Sequence, residues 1–262
     1  STIPHFTDAS IKTPDDWKRF KEEHLRIEDA ARRVDADALR AKHPPHRDYP
    51  LAVHCGSLIG KVRDLLTLEG LSYAVVDYPE MVEEMVETLC RIVEQFLDQV
   101  LPAIKFDLAS GWEDISCNSG PLVSMDFFKS VILPRYKRIG AKLRSAGVDL
   151  WYIDSDGDMR PMIPYLLEAG VNTMFPWEVN GCGHPGPLLE RYGPELRIMG
   201  GVDKMKLRAG REETREYLES LVPYVELGGF IPHCDHRCPP DVDPEVYLYY
   251  LDLKEELFGK ER

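Results

Sequence analysis

The sequence predicts an α/β fold in which parallel strands alternate with helices, the (β/α)8 barrel pattern. Three observations carry this expectation. Short apolar runs of strand length alternate with longer segments whose apolar residues recur every three or four positions. The chain has 262 residues, and roughly 250 is the usual size of an α/β barrel. The competing open doubly wound sheet lacks its signature, since there is no G-x-G-x-x-G and no P-loop.

The elements follow in order. Thr13 reads as an N-cap, with Pro14 at the first helical position and acids in the first turn, and this helix is expected to run to about Arg33. The polar stretch Lys42–Asp48 breaks it, and residues 1–48 form an N-terminal helical extension. Strands are expected at 50–55, 106–115, 150–153, 171–175, 197–202 and 229–232. The helices are expected at 58–68, from 79 to about 100, 125–143 (interrupted by Pro134), 159–167, 187–191, 212–225 and 245–257. In the helix beginning near Pro79, Met81, Met85, Leu89, Ile92, Val93, Phe96, Leu97 and Val100 mark one buried face. These make six strand–helix units within residues 49–262, where a closed barrel has eight. Either the region before Tyr49 supplies the rest irregularly, or an N-terminal portion is absent from this chain. The whole of 1–262 is read as a single domain.

Lys and Arg number 32 against 45 Asp and Glu, a net charge of 32 − 45 = −13. That balance argues against partners that are polyanions, both nucleic acid and anionic membrane surfaces. Apolar residues make up 44% of the chain, enough for a sizeable core. No apolar run approaches the roughly 20 residues that span a bilayer. Cys55, Cys90, Cys117, Cys182, Cys234 and Cys238 are expected to be reduced thiols of a cytoplasmic protein.

In a barrel, chemistry gathers where strands end. The residues that follow the expected strands are His54-Cys55-Gly56, Trp112-Glu113-Asp114, Asp154-Ser155-Asp156-Gly157-Asp158, Pro176-Trp177-Glu178, Gly200-Gly201-Val202-Asp203 and His233-Cys234-Asp235-His236. Helix capping accounts for any one of these acids. Asp154-x-Asp156 places oxygen ligands two residues apart, and with His236 it makes a His-and-carboxylate set suited to zinc or a harder divalent ion. The alternative leaves His233 and His236 as plain polar rim residues. Trp112 and Trp177 are either core packing or an apolar wall beside Glu113 and Glu178. Cys234 and Cys238 are ligands, redox groups or neither.

The order of motifs resembles the uroporphyrinogen decarboxylase superfamily, which includes corrinoid-dependent methyltransferases. The resemblance covers about residue 50 to the end. It rests on Ser119-Gly120-Pro121-Leu122-Val123-Ser124-Met125-Asp126-Phe127-Phe128 with Leu133-Pro134, on Gly157-Asp158, and on Ile163–Asn172. It also takes in Gly200-Gly201-Val202-Asp203-Lys204, Gly228-Gly229-Phe230-Ile231 and Asp243-Pro244-Glu245. It implies a (β/α)8 barrel, chains longer at the N-terminus, and a homodimer.

It also implies two chemistries. The decarboxylases carry an Arg-rich N-terminal motif, which is not found here. In the methyltransferases zinc is held by His-x-Cys and a later Cys, where this chain has Asp154-x-Asp156 and His236. The leading expectation is metal-assisted methyl transfer between a corrinoid protein and a small molecule, a folate or a methoxylated compound. Asp154, Asp156 and His236 would hold the metal, and Glu113 would act as general acid/base. His54, Trp112, Trp177, Glu178 and His233 would line the substrate site, and Asp203 and Asp235 would orient its groups. The alternatives are decarboxylation of a porphyrinogen side chain and a non-catalytic ligand-binding barrel.

Overall fold

The computed structural model describes residues 8–25 and 34–259. Helix α1 (Pro14–His24) starts as expected. Thr13 Oγ accepts the Asp16 N–H at 3.3 Å, and the Asp16 carboxylate accepts the Thr13 N–H at 3.1 Å, a reciprocal cap. Its expected continuation over 26–33 lies outside the described residues. A short helix α2 (Ala36–Lys42), capped by Asp35, follows in the region read only as an extension.

Where the sequence reads as one domain, packing separates two compact units. One comprises Ser1–Ile115, Pro121–Ile153 and Met162–Val171, the other Ser116–Gly120, Asp154–Pro161 and Asn172–Arg262. No linker marks them because the chain passes repeatedly from one to the other.

In the first unit, β1 (Ala52–His54) runs parallel to β2 (Leu108–Trp112), with Ala52 opposite Leu108 and His54 opposite Ser110. Helix α3 (Ile59–Asp77) is two helical stretches joined at a kink: Thr67, at φ 68° and ψ 167°, leaves the helical region where the end near residue 68 was expected, and a further stretch runs on to Asp77. Helix α4 (Pro79–Val100) buries Met81, Met85, Val93, Leu97 and Val100 along one face. Its Glu87 meets Arg135 at 2.9 Å and Arg138 at 2.8 Å on α5 (Leu133–Ser145). The helical run over 125–145 changes from π to α at Leu133–Pro134, the interruption expected at Pro134, because proline has no N–H to give to the preceding turn. A turn of helix (Met125–Phe127) and a π-helical turn (Phe128–Ile132) lead into α5. The unit also holds α6 (Ile163–Ala169). β5 (Trp151–Asp154) lies in this unit up to Ile153, whereas the short paired strands β3 (Ser116–Cys117) and β4 (Gly120–Pro121) belong, up to Gly120, to the second unit.

The second unit is built on three parallel strands, β6 (Thr173–Trp177), β7 (Arg197–Val202) and β8 (Phe230–Cys234). β6 starts two residues later than expected, because Gly170 in the left-handed region closes α6 and the chain needs a further step to reach the strand. The register between β6 and β7 slips between Met174 and Trp177. There Gly200, at φ 113°, comes against the Trp177 backbone so closely that a Cβ would collide with it. Short helices α7 (Val179–Cys182), α8 (Gly186–Tyr192) and α9 (Lys204–Ala209) connect the strands, and α10 (Arg211–Leu227) and α11 (Pro244–Phe258) pack together. The three strands run the same way, so Glu178, Asp203, Lys204, Asp235 and His236 all follow C-terminal strand ends. Among the described residues no helix is long and apolar enough to cross a membrane.

Candidate active site at the strand ends

Asp235, fully buried, is the hub of the second unit's strand-end edge. Its Oδ2 accepts the Val179 N–H at 2.9 Å, and its Oδ1 accepts the Lys204 N–H at 3.1 Å. The Lys204 ammonium lies 3.7 Å from that same Oδ1 and donates to Glu178 Oε1 at 3.0 Å. Glu178 Oε2 in turn accepts the Gly157 N–H at 3.1 Å. Burial pushes the Asp235 carboxyl above the usual carboxylate range, against the lowering by Val179 N–H and Lys204. For Lys204, burial disfavours the ammonium, but the hydrogen bond to Glu178 and the attraction of Asp235 outweigh it and raise its pKa.

Two histidines flank this hub. His233 Nδ1 lies 2.8 Å from the Cys234 carbonyl oxygen. A carbonyl only accepts, so Nδ1 carries the proton and Nε2 keeps its lone pair. Burial lowers the pKa of this imidazole, and its ring packs 5.7 Å from Phe175. His236 Nε2 sits 3.3 Å from Asp156 Oδ1, and both side chains are part-exposed, at 33% and 42%. Asp203 caps α9 through the Met205 N–H at 2.8 Å, the capping role that strand-end acids ordinarily play. Trp177 is core: it is 1% exposed, and its indole N–H donates to the Gly183 carbonyl at 2.8 Å. The Cys238 thiol hydrogen-bonds Cys234, whose own thiol burial pushes up to about 11.

The three-residue metal set expected from Asp154, Asp156 and His236 does not assemble. Among the described residues no group of three or more His, Cys, Asp or Glu side chains is placed to hold a metal ion. The reason is local. β5 ends at Asp154, and Asp156 lies beyond it in a loop. The two-residue repeat that aligns side chains on a strand therefore does not extend from one aspartate to the other. Zinc does not fit the side chains as they stand.

The remaining expected residues belong to the first unit. Glu113 is 2% exposed and serves the start of α3. Its carboxylate accepts the N–H groups of Leu58 at 2.7 Å and Gly60 at 2.8 Å, together with the hydroxyls of Ser57 and Tyr136. Burial raises its pKa in spite of these donors. With both oxygens engaged and no room for a ligand beside them, Glu113 anchors a helix N-terminus; the general acid/base role does not suit this placement. Trp112 lies under the Arg63 guanidinium, 5.2 Å from the ring centroid, and Arg63 is held by Asp114 at 2.7 Å. His54, exposed, shares a 3.2 Å contact with Ser110.

Sequence reasoning passed over Lys204 and Gly157. Lys204 stands directly after Asp203 in Gly-Gly-Val-Asp-Lys, and only the acid was weighed there. A lysine at a strand end crowded with carboxylates was the available signal.

No family model matches the chain. Among curated proteins it is 24% identical over 172 residues to uroporphyrinogen decarboxylase of Ovis aries, covering 62% of this chain and 45% of that protein. Among solved structures it superposes on a methyltransferase from Methanosarcina mazei with a TM-score of 0.57 and 16% identity, over 85% of this chain and 63% of that one. The chain thus spans less than half the length of the curated relative and under two thirds of the structural one. The structural likeness shows the fold, the α/β barrel class expected from the strand–helix alternation.

Proposed function

We propose that this chain, a divergent member of the uroporphyrinogen decarboxylase superfamily, is an enzyme that moves a methyl group between a small methoxylated compound or a folate and a corrinoid protein, with His236 and Asp156 as its proton-transfer pair. The observation that carries this reading is the 3.3 Å contact between His236 and Asp156 beside the strand ends, both part-exposed and within reach of a substrate. In the demethylating direction the O–CH3 bond of a methoxylated compound, or the N–CH3 bond of a methylated folate, breaks, the reduced corrinoid supplies the electron pair of the new bond to the methyl, and the oxygen or nitrogen left behind takes a proton from His236. Asp156 orients the imidazole through the 3.3 Å contact. The strand-end segments carry more carboxylates (Asp154, Asp158, Glu178, Asp203 and Asp235) than cations (Arg160, Lys204 and Arg237), which favours a neutral substrate over a polyanion.

The test is a corrinoid spectrum followed with purified protein, free reduced corrinoid, and a panel of methoxylated aromatic compounds and methylated folate. Methylation of the corrinoid with one of these donors, reduced at least about tenfold in His236→Gln, supports the reading. No methylation with any of them overturns it.

A second reading is favoured by the sequence match to a decarboxylase. There His236 would protonate the carbon that carbon dioxide has left. Release of carbon dioxide from uroporphyrinogen, without corrinoid methylation, would replace the first reading with this one. Ligand binding with neither activity would leave a binding barrel.

A further inference from the structure

We infer that Lys204 is the positioning residue that holds His236 against Asp156, by bracing the chain neighbour of each; its consequence for catalysis rests on the proton-transfer reading above. Asp235 directly precedes His236, and Gly157 directly follows Asp156. On one side, Lys204 gives Asp235 both its backbone N–H, at 3.1 Å, and its ammonium, at 3.7 Å. On the other side, the same ammonium donates to Glu178 at 3.0 Å, and the second oxygen of Glu178 receives the Gly157 N–H at 3.1 Å. Neighbouring Cα atoms are about 3.8 Å apart, so fixing Asp235 and Gly157 fixes where the His236 and Asp156 side chains begin.

The pair needs this support. A part-exposed ion pair contributes about 1 kcal/mol or less, too little to hold two loops in register by itself. The brace is buried where the pair is not: Asp235, Glu178 and Lys204 are 0%, 16% and 18% exposed. Gly157 has no slack on its other face, because it adopts φ 77° and lies against the Cys117 backbone where a side chain would stand. Lysine suits the task chemically. Its compact ammonium directs several donors at once, so it meets two carboxylates from two different strands.

The test compares the unsubstituted protein with Lys204→Met, and with Lys204→Met combined with Glu178→Gln, which relieves the uncompensated carboxylate that the single change leaves buried. The readout is the NMR cross-peak between the His236 ring protons and the Asp156 Hβ protons. We expect that cross-peak in the unsubstituted protein and its loss in the variants, with cross-peaks of the β6–β8 core retained. The double variant serves if the single one does not fold. Persistence of the cross-peak in a folded variant overturns the inference, and so does its absence from the unsubstituted protein. No substrate is involved, so an inactive protein in the corrinoid assay would leave this result standing.

Discussion

Glu113 accepts the backbone N–H of Gly60 at 2.8 Å, fifty-three residues earlier in the chain, and so closes a helix start whose N-cap residue, Leu58, offers no side-chain acceptor. Its other oxygen takes the Leu58 N–H at 2.7 Å. Glu113→Ala strands both amides in a buried site, at about 1–3 kcal/mol for each unsatisfied group. Urea denaturation is expected to show a loss of about 2–6 kcal/mol, with faster hydrogen exchange at Leu58 and Gly60. Gly60→Ala approaches the same contact from the other side: its Cβ would overlap the Glu113 carbonyl oxygen, so it too is expected to destabilise.

Arg160 holds the Asp158 carboxyl below the usual carboxylate range, chiefly through their side-chain hydrogen bond, with contacts of 2.7 and 2.9 Å. An acid whose folded pKa is depressed contributes stability that is present above its ordinary value of 3.8 and lost as the pH falls through the folded value. Arg160 is half exposed, so solvent screening keeps the contribution at about 1 kcal/mol or less. Unfolding of the unsubstituted protein and of Asp158→Asn is expected to differ by about that amount at pH 7. The gap should shrink as the pH is lowered past 3.8; an unchanged gap would count against the pair.

The thiols divide by exposure. Cys117 is exposed, and its hydrogen bond with Ser119 lowers its pKa. Burial pushes Cys55, Cys90 and Cys182 up to about 12. Alkylation proceeds through the thiolate. Iodoacetamide at neutral pH should therefore modify Cys117 first, and the buried three only in denaturant. Peptide mass mapping reads the order, and Cys117→Ser should abolish the fast phase.

Gly140 on α5 packs so closely on the carbonyl of Ala169 at the end of α6 that a Cβ would overlap it. A contact between helices that leaves no space for one methyl group is an overpacking site. Gly140→Ala should cost about 1–3 kcal/mol in thermal or chemical unfolding, despite the better helix propensity of alanine.

Much of the fold was legible because its elements are locally encoded. The apolar spacing from Met81 to Val100 and the start near Pro79 placed α4, and all six expected strands formed. The break in α3 was legible too: Thr67 leaves the helical region beside the end expected near residue 68, and only the further stretch to Asp77 was not expected. The strand-end edge of the second unit was legible as a place, since parallel strands bring Glu178, Asp203, Asp235 and His236 to one side. The individual roles were not. Spacing alone does not say that Asp156 meets His236, or that Glu113 is consumed by two amides. Those outcomes depend on hydrogen bonds between residues dozens of positions apart, and Lys204 acquires its importance only when three strand ends meet.

The interleaving of the two units bears on how the chain emerges from the ribosome. Residues 116–120 and 154–161 appear long before the strands β6, β7 and β8 of the unit they belong to. Until Asp235 is made, Lys204 lacks one of its two carboxylates, and until Glu178 is made the Gly157 amide has no acceptor there. The second unit therefore cannot mature in step with synthesis. A chain stalled before β8 holds these segments without their partners, and arrested nascent chains of increasing length should gain protease resistance in that unit only after residue 235 has cleared the exit tunnel.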